Sequence, residues 1–177
     1  MGISKRHVAL VGFMACGKST IGKRLAKLLG WSFWDTDAEI ARLHGPIGQI
    51  FEREGEPAFR VYERGVVERA LADPSRCVIA VGGGAPAHEP TRRLLAQGAH
   101  RVFLDVGIEQ IVRRLRRARA VRPMLGTELD EEYVRALYEQ RAPCYREAET
   151  IIDCSRLRVG EVARFVQEQL QVAGIVS

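Results

Sequence analysis

The stretch GFMACGKST, from Gly12 to Thr20, has the residue types and the spacing of a phosphate-binding loop. It matches the pattern G-x-x-x-x-G-K-S/T in full, with an apolar run before it and an amphipathic pattern after it. In this pattern Gly12 and Gly17 let backbone amides turn toward phosphate oxygens. Lys18 then reaches the β- and γ-phosphates, and Ser19 offers its hydroxyl to Mg²⁺. The sequence therefore predicts a nucleotide-binding loop that leads into a helix.

One position of this loop, Cys16, is not required by the pattern. Two interpretations stay open: a small filler residue, which the composition favours, and a thiol open to oxidation near a helix start. The other cysteines, Cys77, Cys144 and Cys154, form no C-x-x-C and match no zinc or redox motif. We therefore expect a reducing compartment and a cytoplasmic location.

A second group that could do chemistry is the pair Asp35 and Asp37 in the stretch FWDTDAEI. Thr36 and Glu39 fit a capping box, so one interpretation is that the stretch only marks a helix start. The alternatives are a metal site and a substrate site, because side chains alternate along an extended chain and both carboxylates would point to the same side. With Thr36 and Glu39 forming the cap, both aspartates would be available for binding.

Further residues suit a small anionic ligand. Gly82–Gly84 would let a ligand lie against the backbone and receive hydrogen bonds from its amides, although a flexible turn is the alternative. Arg60 and Glu63 are i,i+3 neighbours, so Glu63 could hold Arg60 in place unless the two form only a surface pair. Arg141 lies two residues before a proline and could instead cap a helix end.

Five short apolar runs, which alternate with amphipathic stretches, must position these residues. Runs of this length are typical of strands buried on both faces of a parallel sheet. The alternation predicts an α/β domain of the P-loop NTPase type, with three layers and five parallel strands flanked by helices. Ligands of such sheets bind beyond the carboxyl ends of the strands. The predicted strands are His7–Val11, Trp31–Trp34, Cys77–Val81, Arg101–Val106 and Thr150–Asp153, and the predicted helices are Ser19–Leu29, Pro57–Leu71, Gly107–Ala118 and Gly160–Val172.

Residues 116–130 fit neither period and contain Arg122-Pro123, Gly126 and a cluster of acids, which predicts a mobile lid within a single domain of residues 1–177. The formal net charge is +5, but six arginines lie between Arg113 and Arg122, and without them the charges sum to −1. Such a local patch favours phosphate or a small anion over a nucleic-acid track. We expect neither a nucleic acid nor a membrane as partner, since no apolar run approaches a membrane span.

The class of nucleotide-binding protein follows from motifs that are missing. The guanine motif N-K-x-D is not present, nor is the hydrophobic strand ending in Asp-Glu that large ATPases keep. With 177 residues and a predicted lid, a small-molecule kinase is favoured. No extra apolar segment indicates an interface with a partner subunit, so we expect a monomer.

Taken in order, the motifs resemble the shikimate kinase family. That family is marked by a G-F-M-x-x-G-K-S/T loop, then D-x-D, G-E-x-x-F-R-x-x-E, G-G-G, R-P-L-L and R-x-x-x-Y. The resemblance covers about residues 7–172, with small departures at Ala15-Cys16, Val81 and Met124. The matching stretches are Gly12–Ser19, Asp35–Asp37, Gly55–Glu63, Gly82–Gly84, Arg122–Leu125 and Arg141–Tyr145.

This resemblance implies transfer of the γ-phosphoryl group of ATP to the 3-hydroxyl of shikimate, with Mg²⁺ as cofactor. Asp37 would bind the shikimate hydroxyls close to the attacking one, within a shikimate-binding region of about residues 37–65. Arg60 and Arg141 would hold the shikimate carboxylate, and Gly82, Gly83 and Gly84 would line the same pocket.

The resemblance also implies a catalytic set, a metal set and an ATP-binding set. The catalytic set is Asp37, Lys18 and Arg122, and the metal set is Ser19 and Asp35, with Asp35 acting through water. The ATP-binding set is Gly12, Ala15, Cys16, Gly17, Lys18, Ser19, Thr20, Arg116, Arg117, Arg122, Ser155 and Arg156.

In the ATP-binding set, Arg116 or Arg117 would stack near the adenine, with Ser155 and Arg156 on its other side. The stretch before the lid is short and rich in arginine, so the choice between the two stays open. Two other functions remain as alternatives. One is a related small-molecule kinase such as a gluconate kinase, and the other is a kinase-like sensor that binds a ligand without catalysis.

Overall fold

A computed structural model describes residues 5–117 and 130–176 of the chain. Strands and helices alternate along it almost throughout. The strands are β1 (His7–Val11), β2 (Ser32–Asp35), β3 (Cys77–Ala80), β4 (Ala99–Asp105) and β5 (Thr150–Asp153). The helices are α1 (Lys18–Leu29), α2 (Thr36–His44), α3 (Ile47–Leu71), α4 (Glu89–Gly98), α5 (Ile108–Arg117), α6 (Glu131–Arg146) and α7 (Val159–Val172), and a short 3₁₀ turn covers Ala85–Ala87.

The strands form one parallel sheet in the order β2-β3-β1-β4-β5. All five residues of β1, the central strand, are buried, as expected for a strand covered on both faces. The predicted five-stranded parallel sheet flanked by helices is confirmed. β1 lies between β3 on one side and β4 on the other, so the strand order changes direction at β1. The crevice beyond the carboxyl end of such a strand is the place where these sheets bind ligands.

A second and smaller apolar cluster lies away from the sheet, between α2 and α3. Ile40, Ile50, Phe59 and Val66 are its buried members. The main cluster instead surrounds the sheet and includes β1, β3, β4 and the inner faces of several helices. The part of the chain that carries Asp37, Arg60 and Glu63 is therefore stabilised by packing of its own.

Helix α3 begins ten residues before the predicted start at Pro57. Gly55 interrupts the helical path with φ 79° and ψ 175°, and Pro57 opens the second half. Proline suits the first turn of a helix, since its missing N–H has no partner there in any case. The interpretation of Arg141 as a helix-end cap is wrong, because α6 continues through Pro143 to Arg146. In the described part of the chain, no helix combines the length and apolar character required to cross a membrane.

Candidate active site

The phosphate-binding loop lies at the carboxyl end of β1, where the sequence predicts it. Gly12 has φ 149° and Gly17 has φ 105°, which side chains other than glycine rarely adopt. A Cβ on Gly12 would also lie 3.0 Å from the Leu104 carbonyl oxygen. Glycine at this position is therefore demanded by both backbone conformation and close packing.

The start of α1 is chemically suited to an anion. Its first turn holds no acidic residue, and Ser19 and Thr20 are exposed there. Lys18 Nζ donates to the carbonyl oxygens of Gly12 at 2.8 Å and Phe13 at 2.9 Å. The positive end of the helix and the Lys18 ammonium thus lie beside the same loop, which favours phosphate binding.

Cys16 is almost fully buried in the main core, at 2 % exposure. Its Sγ would lie 3.0 Å from a Cβ built on Gly12, so the side chain fills the space beneath the loop. Ala15, one residue earlier, has φ 59° and is the only residue other than glycine with positive φ among the described ones. The departures from the usual loop sequence are therefore accommodated without opening it.

The capping box predicted for Thr36 and Glu39 does not form. Asp35 is the N-cap of α2, and its Oδ1 accepts a hydrogen bond from the Ala38 amide at 3.1 Å. The reason is that β2 extends to Asp35, one residue beyond its predicted end, in register with Ala80. One carboxylate oxygen of Asp35 is therefore already used by the helix cap, which differs from the prediction that Thr36 and Glu39 form the cap.

Thr36 has a different role from the predicted one. It is fully buried, and its Oγ1 accepts a hydrogen bond from the Gly82 amide at 2.9 Å. This bond joins the start of α2 to the chain that follows β3. It fixes Gly82 next to the helix that carries Asp37.

Gly82 lies against two carboxylates from different helices. A Cβ built on it would be 2.7 Å from Asp37 Oδ1 and 2.7 Å from Glu63 Oε1. Any larger residue would displace one of these carboxylates. The glycine run thus acts as a close-packed surface and not as an unconstrained turn.

Arg60 is held by carboxylates on its own helix. It donates to Glu63 Oε2 at 2.7 Å and to Glu56 Oε1 at 2.8 Å. Glu63 is fully buried, so the pair is not the surface contact that was the alternative. A Cβ on Gly84 would be 2.6 Å from Arg60 Nη1, which places the guanidinium directly against the glycine run.

Burial raises the pKa of Glu63 to about 7, and the positive charge of Arg60 opposes that rise. The neighbouring Asp37 charge adds to the rise, while the charge of Arg141 counteracts it. Glu63 Oε1 has no hydrogen-bond partner among the residues that the structure describes. The site therefore holds a buried carboxyl group whose second oxygen is available to a ligand or to water.

Arg141 is a nearly buried cation on α6, with 6 % exposure. Within residues 5–117 and 130–176, no carboxylate lies at ion-pair distance from it. One helical turn later, Tyr145 donates its hydroxyl hydrogen to the Gly83 carbonyl oxygen at 2.5 Å. Burial also raises the pKa of Tyr145, which keeps the hydroxyl in its donating form.

These groups line a cavity of about 710 Å³. It adjoins the phosphate loop at Met14, whose amide nitrogen would lie 3.1 Å from a Cβ on Gly83. A larger recess of about 1170 Å³ shares Arg60, Gly84 and Arg141 as walls. We assign the chemistry to the smaller cavity because only there do Asp37, the glycine run and the arginines meet beside the loop. Its polar lining includes Asp37, Arg60, Glu63, Gly82, Gly83 and Arg141.

A third cavity, of about 310 Å³, collects residues predicted near the adenine. Arg117, Ser155 and Arg156 line it together with Arg114. Arg116 does not, because its guanidinium pairs with Glu131 at the start of α6. Of the two arginines left open by the sequence, the structure therefore brings Arg117 to Ser155 and Arg156.

The two remaining predicted site features are the lid with Arg122 and the metal site. Arg122 and most of the predicted lid lie outside the described residues. For the metal, no group of three or more His, Cys, Asp or Glu side chains in the described ranges is arranged to hold an ion. The predicted metal residues are Ser19, at the first turn of α1, and Asp35, at the end of β2.

Comparison with known proteins identifies the family. A family model described as shikimate kinase matches residues 14–171. The chain belongs to the shikimate kinase family. As a member of it, the chain is an enzyme that phosphorylates shikimate with ATP, which confirms the interpretation of the motifs.

Individual shikimate kinases agree with the family model. The chain is 44 % identical to one from Nitrobacter winogradskyi over 85 % of this chain and 70 % of the relative. It is 43 % identical to one from Mycobacterium avium over 91 % of each chain. A solved shikimate kinase from Acinetobacter baumannii, in complex with shikimate, has a TM-score of 0.88 and 36 % identity, covering 94 % of this chain and 93 % of that one.

Sequence reasoning missed three contacts of this shikimate kinase site. They are Thr36 to Gly82, Tyr145 to Gly83, and Arg114 to the phosphate loop. The R-x-x-x-Y spacing was a signal for Tyr145, because residues four apart share a helix face. No pattern in the sequence indicated the other two, since each joins segments far apart in the chain.

Proposed function

We propose that this chain transfers the γ-phosphoryl group of ATP to the 3-hydroxyl of shikimate in the 710 Å³ cavity beside the phosphate loop. The observation that supports this most is Arg141, a nearly buried guanidinium with no carboxylate partner among the described residues. A buried cation without a partner is costly, and a ligand carboxylate would offset that cost. Shikimate is a small anion with a carboxylate and three hydroxyls.

We propose that Arg141 and Arg60 bind the shikimate carboxylate. A guanidinium presents paired N–H donors that fit the two oxygens of a carboxylate. Arg60 is oriented for this by Glu63 and Glu56, while Arg141 brings a guanidinium that has no carboxylate at ion-pair distance among the described residues. Gly82–Gly84 would let the ring approach the backbone closely. A side chain at Gly82 would meet Asp37 and Glu63, one at Gly83 would meet the backbone of the phosphate loop, and one at Gly84 would meet Arg60.

In the transfer step, Asp37 would orient the 3-hydroxyl and accept its proton. The hydroxyl oxygen forms a bond to the γ-phosphorus while the bond from that phosphorus to the β–γ bridging oxygen breaks, and ADP leaves. Lys18 would neutralise charge that develops on the phosphates. We propose the same role for Arg122, on the basis of the family motif. Phosphoryl transfer depends on such positioning and charge neutralisation more than on covalent chemistry.

We also propose that Mg²⁺ binds at the Ser19 hydroxyl and, through water, at Asp35. The donors are oxygens, as Mg²⁺ prefers, and the ion commonly takes its remaining ligands from nucleotide phosphates and water. Such a site needs few protein carboxylates, which fits the donor set here. When bound, the ion would neutralise negative charge on the phosphates.

The assignments of the adenine-binding residues, the oligomeric state and the cellular location are proposals as well. Arg117, Ser155 and Arg156 would bind the adenine, as their shared cavity supports. A monomeric state and a cytoplasmic location stay predictions. Sedimentation of the purified protein would test the first, and fractionation of cells would test the second.

A coupled assay of ADP release tests the proposed reaction. Shikimate should support turnover, while gluconate and quinate should leave ADP release at the background of ATP hydrolysis. Arg141→Ala should raise the KM for shikimate about a hundredfold, because truncating one partner of a buried charge pair costs about 2–5 kcal/mol. Arg135→Ala, a half-exposed arginine on the same helix that pairs with Glu109 and does not line this cavity, is the matched control and should leave the KM for shikimate at the wild-type value.

Two outcomes would contradict the proposal. Turnover with gluconate but not shikimate would assign the chain to another small-molecule phosphorylation. No turnover above background with any acceptor, together with retained ligand binding, would support the non-catalytic sensor.

A further inference from the structure

Arg114 of α5 contacts the backbone of the phosphate loop. Its Nη1 donates to the carbonyl oxygen of Ala15 at 3.0 Å and to that of Cys16 at 3.1 Å. These are the two successive carbonyls immediately before Gly17, which caps α1. One guanidinium nitrogen therefore fixes the direction of two consecutive peptide groups.

The direction of these carbonyls also sets the direction of the loop amides. A trans peptide places its N–H opposite its C=O. With the Cys16 carbonyl turned toward Arg114, the Gly17 N–H points away from Arg114. The inward-facing amides are what such loops offer to phosphate oxygens. The positive charge also makes these hydrogen bonds stronger than neutral ones.

The loop needs such support at this point. Ala15 has φ 59°, a left-handed conformation that costs free energy for any residue with a Cβ. Arg114 binds the carbonyl of this same residue. The helix that carries Arg114 is anchored by the buried side chains of Ile111, Val112 and Leu115. The strained turn at Ala15 is thus stabilised by a side chain from α5, a helix that is itself packed into the core.

Arg114 also lines the 310 Å³ cavity with Arg117, Ser155 and Arg156. The same side chain therefore belongs to the cavity suited to the base and contacts the loop suited to the phosphates. Neither Arg113 nor Arg117, which line that cavity too, hydrogen-bonds a loop carbonyl in the described part of the chain.

We propose that Arg114 is a positioning residue that holds the phosphate loop in its binding conformation and links the base end of the nucleotide site to the phosphate end. This inference rests on the proposed function, because it takes the loop to bind the phosphates of ATP. It assigns to Arg114 an effect on phosphate affinity that does not depend on the base.

Binding of inorganic tripolyphosphate, which has no base, tests this directly. Titration calorimetry on the purified chain would compare tripolyphosphate with a non-hydrolysable ATP analogue, both with Mg²⁺. Arg114→Gln should weaken both ligands by a similar factor of about ten or more, the size expected for losing one charged hydrogen bond. The affinity for shikimate alone should not change.

Arg113→Gln is the matched control, because it removes the same charge from the same cavity without a loop contact. It should leave tripolyphosphate affinity within about twofold of wild type, as expected for an exposed, solvent-screened charge. Arg114→Lys keeps the charge with a different donor geometry and should give an intermediate loss. This variant also decides the question if Arg114→Gln does not fold.

Four results would overturn the inference. Weaker binding of the ATP analogue with unchanged tripolyphosphate affinity would mean that Arg114 acts on the base alone. Equal losses in Arg113→Gln and Arg114→Gln, or wild-type affinities in Arg114→Lys, would mean that only net charge matters. If the wild-type chain fails to bind tripolyphosphate at all, the proposed function fails first, and this inference with it.

Discussion

The phosphate loop and the acceptor pocket of this shikimate kinase are built in different ways. The loop is one continuous stretch, Gly12 to Thr20, whose shape comes mainly from local glycine conformations and the start of α1, with Arg114 as a supporting contact from a distant helix. The acceptor pocket is assembled from α2, α3, α6 and the chain after β3. Its geometry depends on several contacts between segments far apart in sequence, so more of the side chains that position it without binding a ligand should affect its function.

The two regions also differ in their electrostatics. Around the loop, Lys18 and the helix start present positive charge with no carboxylate in the first turn. In the acceptor pocket, Glu63 is buried against Arg60, while Arg141 lacks such a partner among the described residues. The pocket thus contains one arginine in a close ion pair and one with no carboxylate at ion-pair distance among the described residues, which suits a ligand with one negative charge.

The largest expected effect comes from one substitution in the acceptor pocket, which should impair the function of that pocket and leave nucleotide binding at the phosphate loop intact. Asp37→Asn should lower kcat about a thousandfold, because a positioned base commonly contributes two to four orders of magnitude. The affinity for a non-hydrolysable ATP analogue should stay within about twofold of wild type, since Asp37 lies on the acceptor side of the loop. Steady-state kinetics and calorimetry would measure the two quantities. Equal loss of turnover and nucleotide binding would contradict the division.

The second effect concerns the pH dependence of stability. The pKa of Glu63 is about 7 in the folded chain, against a usual value of 4.5, so the folded state holds more protons in between. The free energy of unfolding should therefore fall as pH rises from about 4.5 to 7, and stay lower above that. Relative to Glu63→Gln, wild type should lose about 3 kcal/mol over this range.

Urea unfolding of both proteins at several pH values would measure that difference. The comparison is needed because burial lowers the pKa of His7, His88 and His100, which contributes stability of the opposite sign in the same range. These histidines are common to both proteins and cancel. Parallel pH profiles would show that Glu63 does not titrate as described.

A third test removes a contact that no ligand touches. Thr36→Val would leave the buried Gly82 amide without its acceptor, at a cost of about 2 kcal/mol in the free energy of unfolding. The KM for shikimate should rise while the KM for ATP stays the same. Thr36→Ser keeps the hydroxyl and should restore both values. A change in ATP affinity as large as that for shikimate would argue against separate assembly of the two regions.

The smallest expected effect distinguishes the two aspartates. Asp35→Ala should cost about 1 kcal/mol of stability through loss of the α2 cap. If Asp35 also contributes to the metal site, the Mg²⁺ concentration needed for half-maximal activity should rise as well. Asp35→Ser preserves a capping side chain and should recover only the stability. Unchanged Mg²⁺ dependence in both variants would remove Asp35 from the metal site.

The sequence was sufficient to predict the regions that depend on local pattern. The phosphate loop and the five strands follow from glycine spacing and apolar runs, and the structure has them in the predicted order. The predicted burial on both faces is wrong for the edge strands β2 and β5, which are only partly buried. The ion pair between Arg60 and Glu63 followed from helix periodicity. Residue type and spacing suggested a role in ligand binding for several residues of the acceptor pocket. Only the ordered family set predicted that they form one pocket, since their proximity is not a local property.

The errors have physical reasons. Both Asp35 and Thr36 can cap a helix, and the choice depends on pairing of Asp35 with Ala80, a contact made across 45 residues of chain. A proline normally breaks a helix, so continuation of α6 through Pro143 depends on tertiary packing around Arg141 and Tyr145. The break at Gly55 requires a left-handed backbone that many glycines never adopt.

The most direct test of the account measures ligand stabilisation against heat. With a non-hydrolysable ATP analogue and Mg²⁺ present, shikimate should raise the melting temperature of the wild-type chain, while quinate and gluconate should not. In Arg141→Ala, the shift caused by the nucleotide should remain and the shift caused by shikimate should disappear. A shikimate shift that survives in Arg141→Ala, or an equal shift with quinate or gluconate, would contradict the acceptor pocket as described.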